Sequence, residues 1–585
     1  MTFALAAVML AGLCLTGCGG SGFTNVAAEG QVIIGTSTEP SGDWSHAAFG
    51  SNNATDSAVL TLTDDCETVV SDQNGDFVIN NSVVDKYERI EESDGNVTYK
   101  ITIKQGLVFN NGDPITAENF LVWSLFLYSP AGAEMGVTTA GYNMIPGGDK
   151  YHSGETNVLA GLRLIDDHTF SMTILKTGYD GNNYLPYYFD LSYAGARATH
   201  IKYWFGDGWH VKDDGQGAYL VNDNGTEFTK ANIETTFTAA RDATSDRITA
   251  GPYNLVSYDK ASSQIVLESN DNYCGNFEGC KPGIKRLVIV KTEDDTVIDT
   301  ISTGGIQIYS GIADGSEIKA IYDLMDNGLD SSFCHYDRAG YGYFQFACDF
   351  GPTQYTEFRQ AVAHLLDRNE FANTFCQGYG SVVHGPYCTA FSMYEDSKKV
   401  IAGLDTYEIS VDKAVELLEK AGFVYAEDGS DYSGTGIRYK KVTAAEATNY
   451  ESFCKNVGSD ILMPAMVNWA SSDGNSVSDL LVTMLANGDA AKQAGVEIRQ
   501  NVMTFPELLN YMYRQDMYGL GGDYSVPTYN MFNLATGWNS GAYDMSFEFT
   551  TNQEYLDQGY NSTHLYDEQL DKLSMDMVYG VEAGD

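Results

Sequence analysis

Positive charge is scarce in this chain. Against 79 Asp and Glu there are 34 Lys and Arg, a formal net charge of −45 at pH 7. A surface this acidic repels phosphate backbones and anionic headgroups, so nucleic acid is not expected as a partner. Long apolar runs are missing too, since nothing after the first 17 residues is long and apolar enough to span a bilayer. The marks of hydrolytic chemistry are absent: there is no Gly-x-Ser-x-Gly elbow and no His-Glu-x-x-His zinc helix. No Cys-x-x-Cys pair occurs and the nine His are not clustered near cysteines, so a metal centre is not expected. Internal repeats and low-complexity tracts are lacking as well. What is present is a globular composition, 43% hydrophobic with spread-out aromatics. At 585 residues the chain is too long for one core, and two or three domains are expected. Tyrosine is abundant, at 39, and suits a wet recognition surface because it offers apolar area with a polar tip.

The N-terminus carries an apolar run, Phe3 to Leu15, too short for a transmembrane helix. It ends in Leu15-Thr16-Gly17-Cys18, which resembles a bacterial lipobox. That resemblance implies cleavage after residue 17, lipid on Cys18, and a flexible tether through Gly19-Gly20-Ser21-Gly22, over residues 18–30. No Lys or Arg precedes the run, which points to a start further upstream. Eight further cysteines then remain besides Cys14 and Cys18. An even number in an exported chain permits disulfides, with 105 connectivities open. Nearness in sequence suggests Cys274–Cys280, Cys334–Cys348 and Cys376–Cys388, leaving Cys66 with Cys454; free buried thiols are the alternative.

The chain is organised around Val97–Ser129. Val97, Tyr99, Ile101 and Ile103 alternate with polar residues, which predicts a half-buried strand. Asn110-Asn111-Gly112-Asp113-Pro114 is a dense turn signal. Thr116 is placed to cap a helix, Glu118 sits in its first turn, and Phe120, Trp123 and Leu127 recur at helical spacing as a buried stripe. This order of residues resembles the signature of the peptide/nickel class of extracytoplasmic solute-binding proteins, which serve ABC importers. The matching positions are Lys104-x-Gly106, Phe109-Asn110-Asn111-Gly112-x-Pro114 and Thr116-Ala117-Glu118-Asn119. Asn119 stands where the family usually has Asp.

Further along, residues 31–36 predict the first strand, and a polar loop from Trp44 to Asp56 fits a cleft edge, with Asn53 as a candidate ligand contact. Asn74-Gly75-Asp76 and Asp166-Asp167 mark hairpin turns. Trp204–Lys230 reads as an elaborated polar surface loop, and Val256–Leu267 as a hairpin. Glu268–Tyr273 resembles the family's turn before a strand, here Ile284–Lys291, followed by a helix over 294–303. Phe358–Arg368 resembles the family's R-Q-A-x-x-x-x-x-D-R helix, in which Arg359 and Asp367 could make charge-assisted contacts. Asp412–Gly422, Phe505–Tyr513 and Tyr566–Met577 predict further helices.

Gly519-Leu520-Gly521-Gly522-Asp523-Tyr524-Ser525-Val526-Pro527-Thr528 resembles the W-x-A-D-Y-x-x-P-T stretch of oligopeptide-binding proteins. The resemblance implies that Gly519 and Gly521 offer backbone to a bound peptide and that Asp523 holds its ammonium group, next to Tyr524. A turn-capping role for Asp523 is the competing reading. Trp538 supplies a candidate aromatic cleft wall. The implied fold class is α/β, a two-lobed periplasmic-binding-protein-like fold of type II with a hinged cleft. Lobe I is expected over 31–302 with an inserted subdomain at about 66–160, the crossing at 303–312, and lobe II over 313–585. The helix and strand with which family members return to lobe I are not found after Met577, which points to truncation. The expected activity is capture of short peptides for a membrane permease by a monomer that touches the membrane only through its lipid. No cofactor is expected. A nickel chelate or an oligosaccharide is the alternative solute, and a lipid-anchored hydrolase the remote one.

Overall fold

The computed structural model describes residues 28–579, with 46–47, 50–52, 73–75, 140, 182, 185–189, 294–295, 313, 473–475, 539–544 and 558 outside the description. Cys18 and the leader therefore lie outside the described residues. Strand Gln31–Thr36 runs parallel to Arg286–Lys291 and to the short Ile308–Tyr309. Gln264–Ser269 and Tyr253–Asp259 extend this sheet antiparallel, giving five strands. The chain leaves the sheet at Ile308–Tyr309, and Gly35 explains how closely it passes. A Cβ on Gly35 would stand 2.8 Å from side-chain atoms of Thr292, Ile306 and Tyr309, so only glycine fits beside the crossing.

The expected hub is present. Val97–Ile103 is a strand whose residues alternate buried and half-buried, in an antiparallel sheet ordered Val84–Glu91, Val97–Ile103, Thr169–Ile174, Leu162–Asp166. Helix Ala117–Leu127 crosses that sheet. Its burial is wider than the expected stripe: Phe120, Leu121, Val122, Leu125 and Phe126 are buried while Trp123 and Leu127 are only partly so. The reason is that the helix is sandwiched, touching strands Leu162–Asp166 and Thr169–Ile174 as well as the hairpin Trp209–Asp213/Ala218–Asn222. The cap differs too. Asn119 Oδ1 accepts the Thr116 amide at 2.8 Å, and its Nδ2 donates to the Thr199 carbonyl at 3.1 Å. An Asp at this position could make only the first of these bonds.

The stretch 204–230 is not a loop. It forms helix Ile201–Phe205, the paired strands Trp209–Asp213 and Ala218–Asn222, and the approach to helix Lys230–Arg241. Trp204, Phe205, Trp209, Val211 and Leu220 enter the core, which continues to Ala250. The period-2 pattern was diluted by the glycines and carboxylates of the intervening turn. At the start of the expected polar loop Trp44 is buried, with its indole N–H donating to the Ala243 carbonyl at 2.8 Å.

The second lobe is built on a mixed sheet ordered Gly340–Phe346, Met531–Gly537, Met466–Ser472, Glu497–Met503. Its central strand, Met466–Ser472, is buried along nearly its whole length because it has parallel partners on both sides and helices over it. The expected single helix 358–368 is two. Thr356–Ala363 ends, and Asp367 caps a second helix, Arg368–Cys376, by accepting the Glu370 amide. Arg359 and Asp367 do not meet, because Arg359 donates to the Thr353 carbonyl and the Thr356 hydroxyl. Helices Val411–Lys420 and Phe505–Tyr513 lie as expected, and the last described helix is Glu568–Tyr579. No described helix is long and apolar enough to cross a membrane.

Candidate functional site

The site expected from the sequence begins where helix Phe505–Tyr513 stops. Pro at its first turn starts the helix and Arg514, at φ 56°, ends it. Arg514 then makes a bidentate pair with Asp349, both bonds 2.7 Å. The fully buried Asn510 organises the chain beyond the helix. Its Nδ2 donates to Asp516, and its Oδ1 accepts the amides of Met517 and Tyr518. Asp516 in turn accepts the amides of Leu520 and Gly521, each at 2.8 Å.

This arrangement makes residues 519–528 a loop, not a strand. Gly519 and Gly521 hold φ of 64° and 78°, a conformation strands do not use. Both are exposed, with open space where a Cβ would be. Two amides of the stretch are already taken by Asp516, so the loop offers a ligand carbonyls and the remaining N–H groups. Asp523 is exposed. Its Oδ1 accepts the Ser525 amide at 3.2 Å and the Ser525 hydroxyl at 2.6 Å, and these bonds hold the carboxyl below its usual range. The capping role is therefore present, and the charged group still faces outward. Tyr524 is buried edge-on against Tyr511, 4.9 Å between centroids, and anchors the loop. Asn468 fastens the far end by donating to the Thr528 carbonyl at 2.9 Å.

Trp538 follows strand Met531–Gly537, with its amide on the Ala339 carbonyl. Its ring lies 5.6 Å from Tyr341 and 6.4 Å from Phe391, and Tyr341 lies 5.2 Å from Tyr343. Trp538, Tyr341, Tyr343 and Phe391 thus form one wall of rings. Burial, and after it the nearby Glu548 carboxyl, raises Tyr341 and Tyr343, and burial pushes the Glu548 carboxyl itself up to about 7. The signal that could have revealed the wall is the small/aromatic alternation Gly340-Tyr341-Gly342-Tyr343.

Asn53 sits elsewhere. It is 2% exposed, caps helix Ala54–Thr63 by accepting the Thr55 and Asp56 amides, and donates to the Glu39 carbonyl. The structure gives it a scaffolding position and does not bring it to Asp523. A further contact that sequence reasoning missed joins residues 375 and 412 positions apart. The Tyr555 hydroxyl donates to Asp180 at 2.9 Å and accepts from Asn143 at 3.3 Å. A cavity of about 550 Å³ lies beside it, lined by Tyr513, Arg514, Thr551, Tyr560 and His564 among others, and by none of the sequence-proposed residues. Burial and the neighbouring Arg514 push His564 there down to about 4. Among the described residues no three of His, Cys, Asp and Glu gather as metal ligands.

Residues 83–542 match the family of bacterial extracellular solute-binding proteins, family 5 Middle. The chain belongs to this family. Its homologues bind substrates and are not enzymes. Among curated proteins it is similar to the dipeptide-binding protein DppE of Bacillus subtilis, 24% identical over 57% of this chain and 52% of that one. It is also similar to the oligopeptide-binding protein OppA of the same organism, 22% identical over 53% and 49%. In these two relatives the chain spans about half the relative's length. The match to the oligopeptide-binding protein AppA of B. subtilis is longer, 20% identical over 98% of this chain and 86% of AppA. Solved structures share the two-lobed fold. An oligopeptide-binding protein of Thermus thermophilus, complexed with a pentapeptide, superposes with a TM-score of 0.67 at 15% identity, covering 94% of this chain and 86% of its own. NikZ of Campylobacter jejuni, in complex with Ni(L-His), gives 0.59 at 15% identity over 95% and 88%.

Proposed function

We propose that the chain captures short peptides in the cleft between its lobes and delivers them to the permease of an ABC importer. It does so as a monomer held to the outer face of the cell membrane by lipid on Cys18. Residues 1–17 would be the signal peptide and 18–30 the tether. Residues 31–302 would form lobe I, 303–312 the crossing and 313–585 lobe II. The observation that carries the peptide reading is the Asp523 loop: an outward-facing carboxylate on a rigid, exposed, glycine-rich backbone, followed along the chain by Trp538. A peptide's ammonium would pair with Asp523 and its main chain would bond to the loop, which gives affinity with little side-chain preference. A ligand touching both lobes binds the closed state better and shifts the population toward it. The Tyr555–Asp180–Asn143 contact supports a closed form with defined partners across the divide.

Calorimetry with di- to pentapeptides tests the reading. Binding without turnover is expected, and Asp523→Asn should weaken it about tenfold or more, the scale of one charge-assisted bond. Unchanged affinity in the variant would remove Asp523 from the site. Nickel–histidine and oligosaccharides titrated in parallel distinguish the alternative solutes, the first chosen because NikZ, which is similar in fold, was solved in complex with Ni(L-His).

A further inference from the structure

Cys66, Cys274 and Cys280 are not joined in disulfides, and their placement does not follow their order in the sequence. Cys274, expected to pair with its neighbour Cys280, instead stands near enough to Cys66 for each thiol to shift the other, while its own S–H donates to the Gly275 carbonyl at 3.4 Å. Cys66 is 1% exposed and sits just past helix Ala54–Thr63, its carbonyl accepting the Ala198 amide at 3.0 Å. Cys274 is half-buried against the same core cluster. The two segments are held side by side at the preceding residues, because the Tyr273 hydroxyl donates to Asp65 at 2.7 Å. The loop carrying Cys274 is pinned from other sides too. Asn272 donates to the carbonyls of Phe109 and Asn110, and the Asn276 carbonyl accepts the Ser82 hydroxyl at 2.6 Å. Cys280, by contrast, is exposed.

We propose that Cys66 and Cys274 form a structural disulfide in the exported chain, tying the core of the extra subdomain to the sheet that carries the first strand. Extracellular family members work where disulfides persist. The reaction is thiol–disulfide exchange with an external disulfide. The Cys274 thiolate attacks one sulfur and releases one thiol. Cys66 then loses its proton, attacks the mixed disulfide at Cys274 and releases the second thiol. The external disulfide gains the two electrons and two protons that the cysteines lose. Cys274 is the natural first attacker, because it is the more exposed of the two and the nearby Cys66 lowers it while Cys66 itself is raised.

The test oxidises the purified full chain with oxidised glutathione, alkylates free thiols under denaturing conditions, and digests without reduction. Cleavage at Phe277 or Glu278 separates Cys274 from Cys280. The expected product is a Cys66 peptide joined to a Cys274 peptide, two hydrogens lighter than their sum. Reduction should lower the first thermal transition by roughly 5 °C or more, as expected for a bridge closing a long loop. The double variant Cys66→Ser/Cys274→Ser should lose that dependence on reductant. Alkylated Cys66 and Cys274 in the oxidised sample, or a Cys274–Cys280 peptide, would overturn the proposal. The mass map needs only the native chain, so a poorly folding variant leaves the test intact.

Discussion

Replacing Glu548 with Gln should stabilise the protein in alkaline solution and leave it unchanged in acid. The carboxyl is raised from 4.5 to about 7 by burial, with no offsetting charge among the described residues. A raised carboxyl means that the folded state holds a proton the unfolded chain has already released. Folding stability therefore falls as pH climbs from 4.5 to 7, and the loss persists above that range. At about 1.4 kcal/mol per pH unit the gap caps the penalty at about 3 kcal/mol. The side chain is not fully enclosed, so about half of that, ~1.5 kcal/mol, is the expected size. Gln keeps the volume and cannot ionise. For a lobe of this size the variant should melt roughly 3–6 °C above the native chain at pH 8.5 and within a degree of it at pH 5. Paired thermal or urea unfolding curves at the two pH values measure this. Asp56, raised to about 6 by burial, moves both proteins the same way, so the difference between them isolates Glu548. A gap equal at both pH values, or larger in acid, would show that Glu548 is not desolvated in the folded state and would refute the reasoning.

Three other outcomes are expected from the same contacts. Tyr555→Phe keeps the ring against Phe547 but removes the bonds to Asp180 and Asn143. Peptide affinity should drop about tenfold with little change in melting temperature, and calorimetry beside calorimetric scanning separates the two effects. Phe358→Ala empties a fully buried position between helix Thr356–Ala363 and Phe423, 5.2 Å away, and should cost about 3–5 kcal/mol in urea unfolding of the second lobe. His564 is held neutral down to about pH 4, so the folded state binds fewer protons than the unfolded one between there and 6.5. Its stabilising share is whole above 6.5 and drains as pH falls through that window, and His564→Gln should flatten the acid limb of a stability–pH curve.

Local patterns read well where one face of an element meets a core and the other does not. Val97–Ile103 and the helices Val411–Lys420 and Phe505–Tyr513 were legible because periodicity records a two-sided environment. The hairpin at 209–222 was missed because its strands are only five residues each and turn residues interrupt the pattern. The break at His364–Asp367 was missed because both flanking helices have good helical sequence, and the stop is set by a cap, not by a breaker. At the site, the sequence named Asp523 and Trp538. It could not show that Asp516 would occupy the neighbouring amides, nor that Asn53 would be buried under its own helix.

The sequence by itself determined the family, the α/β class and the acidic, tyrosine-rich composition, because long motifs and composition are properties of the chain alone. Tertiary structure decided which cysteines lie near one another, which carboxylates lose water, and which tyrosine reaches Asp180. Those depend on residues hundreds of positions apart, such as Cys66 with Cys274 or Asp180 with Tyr555. Their proximity is fixed by how sheets and helices pack, and no local pattern encodes it.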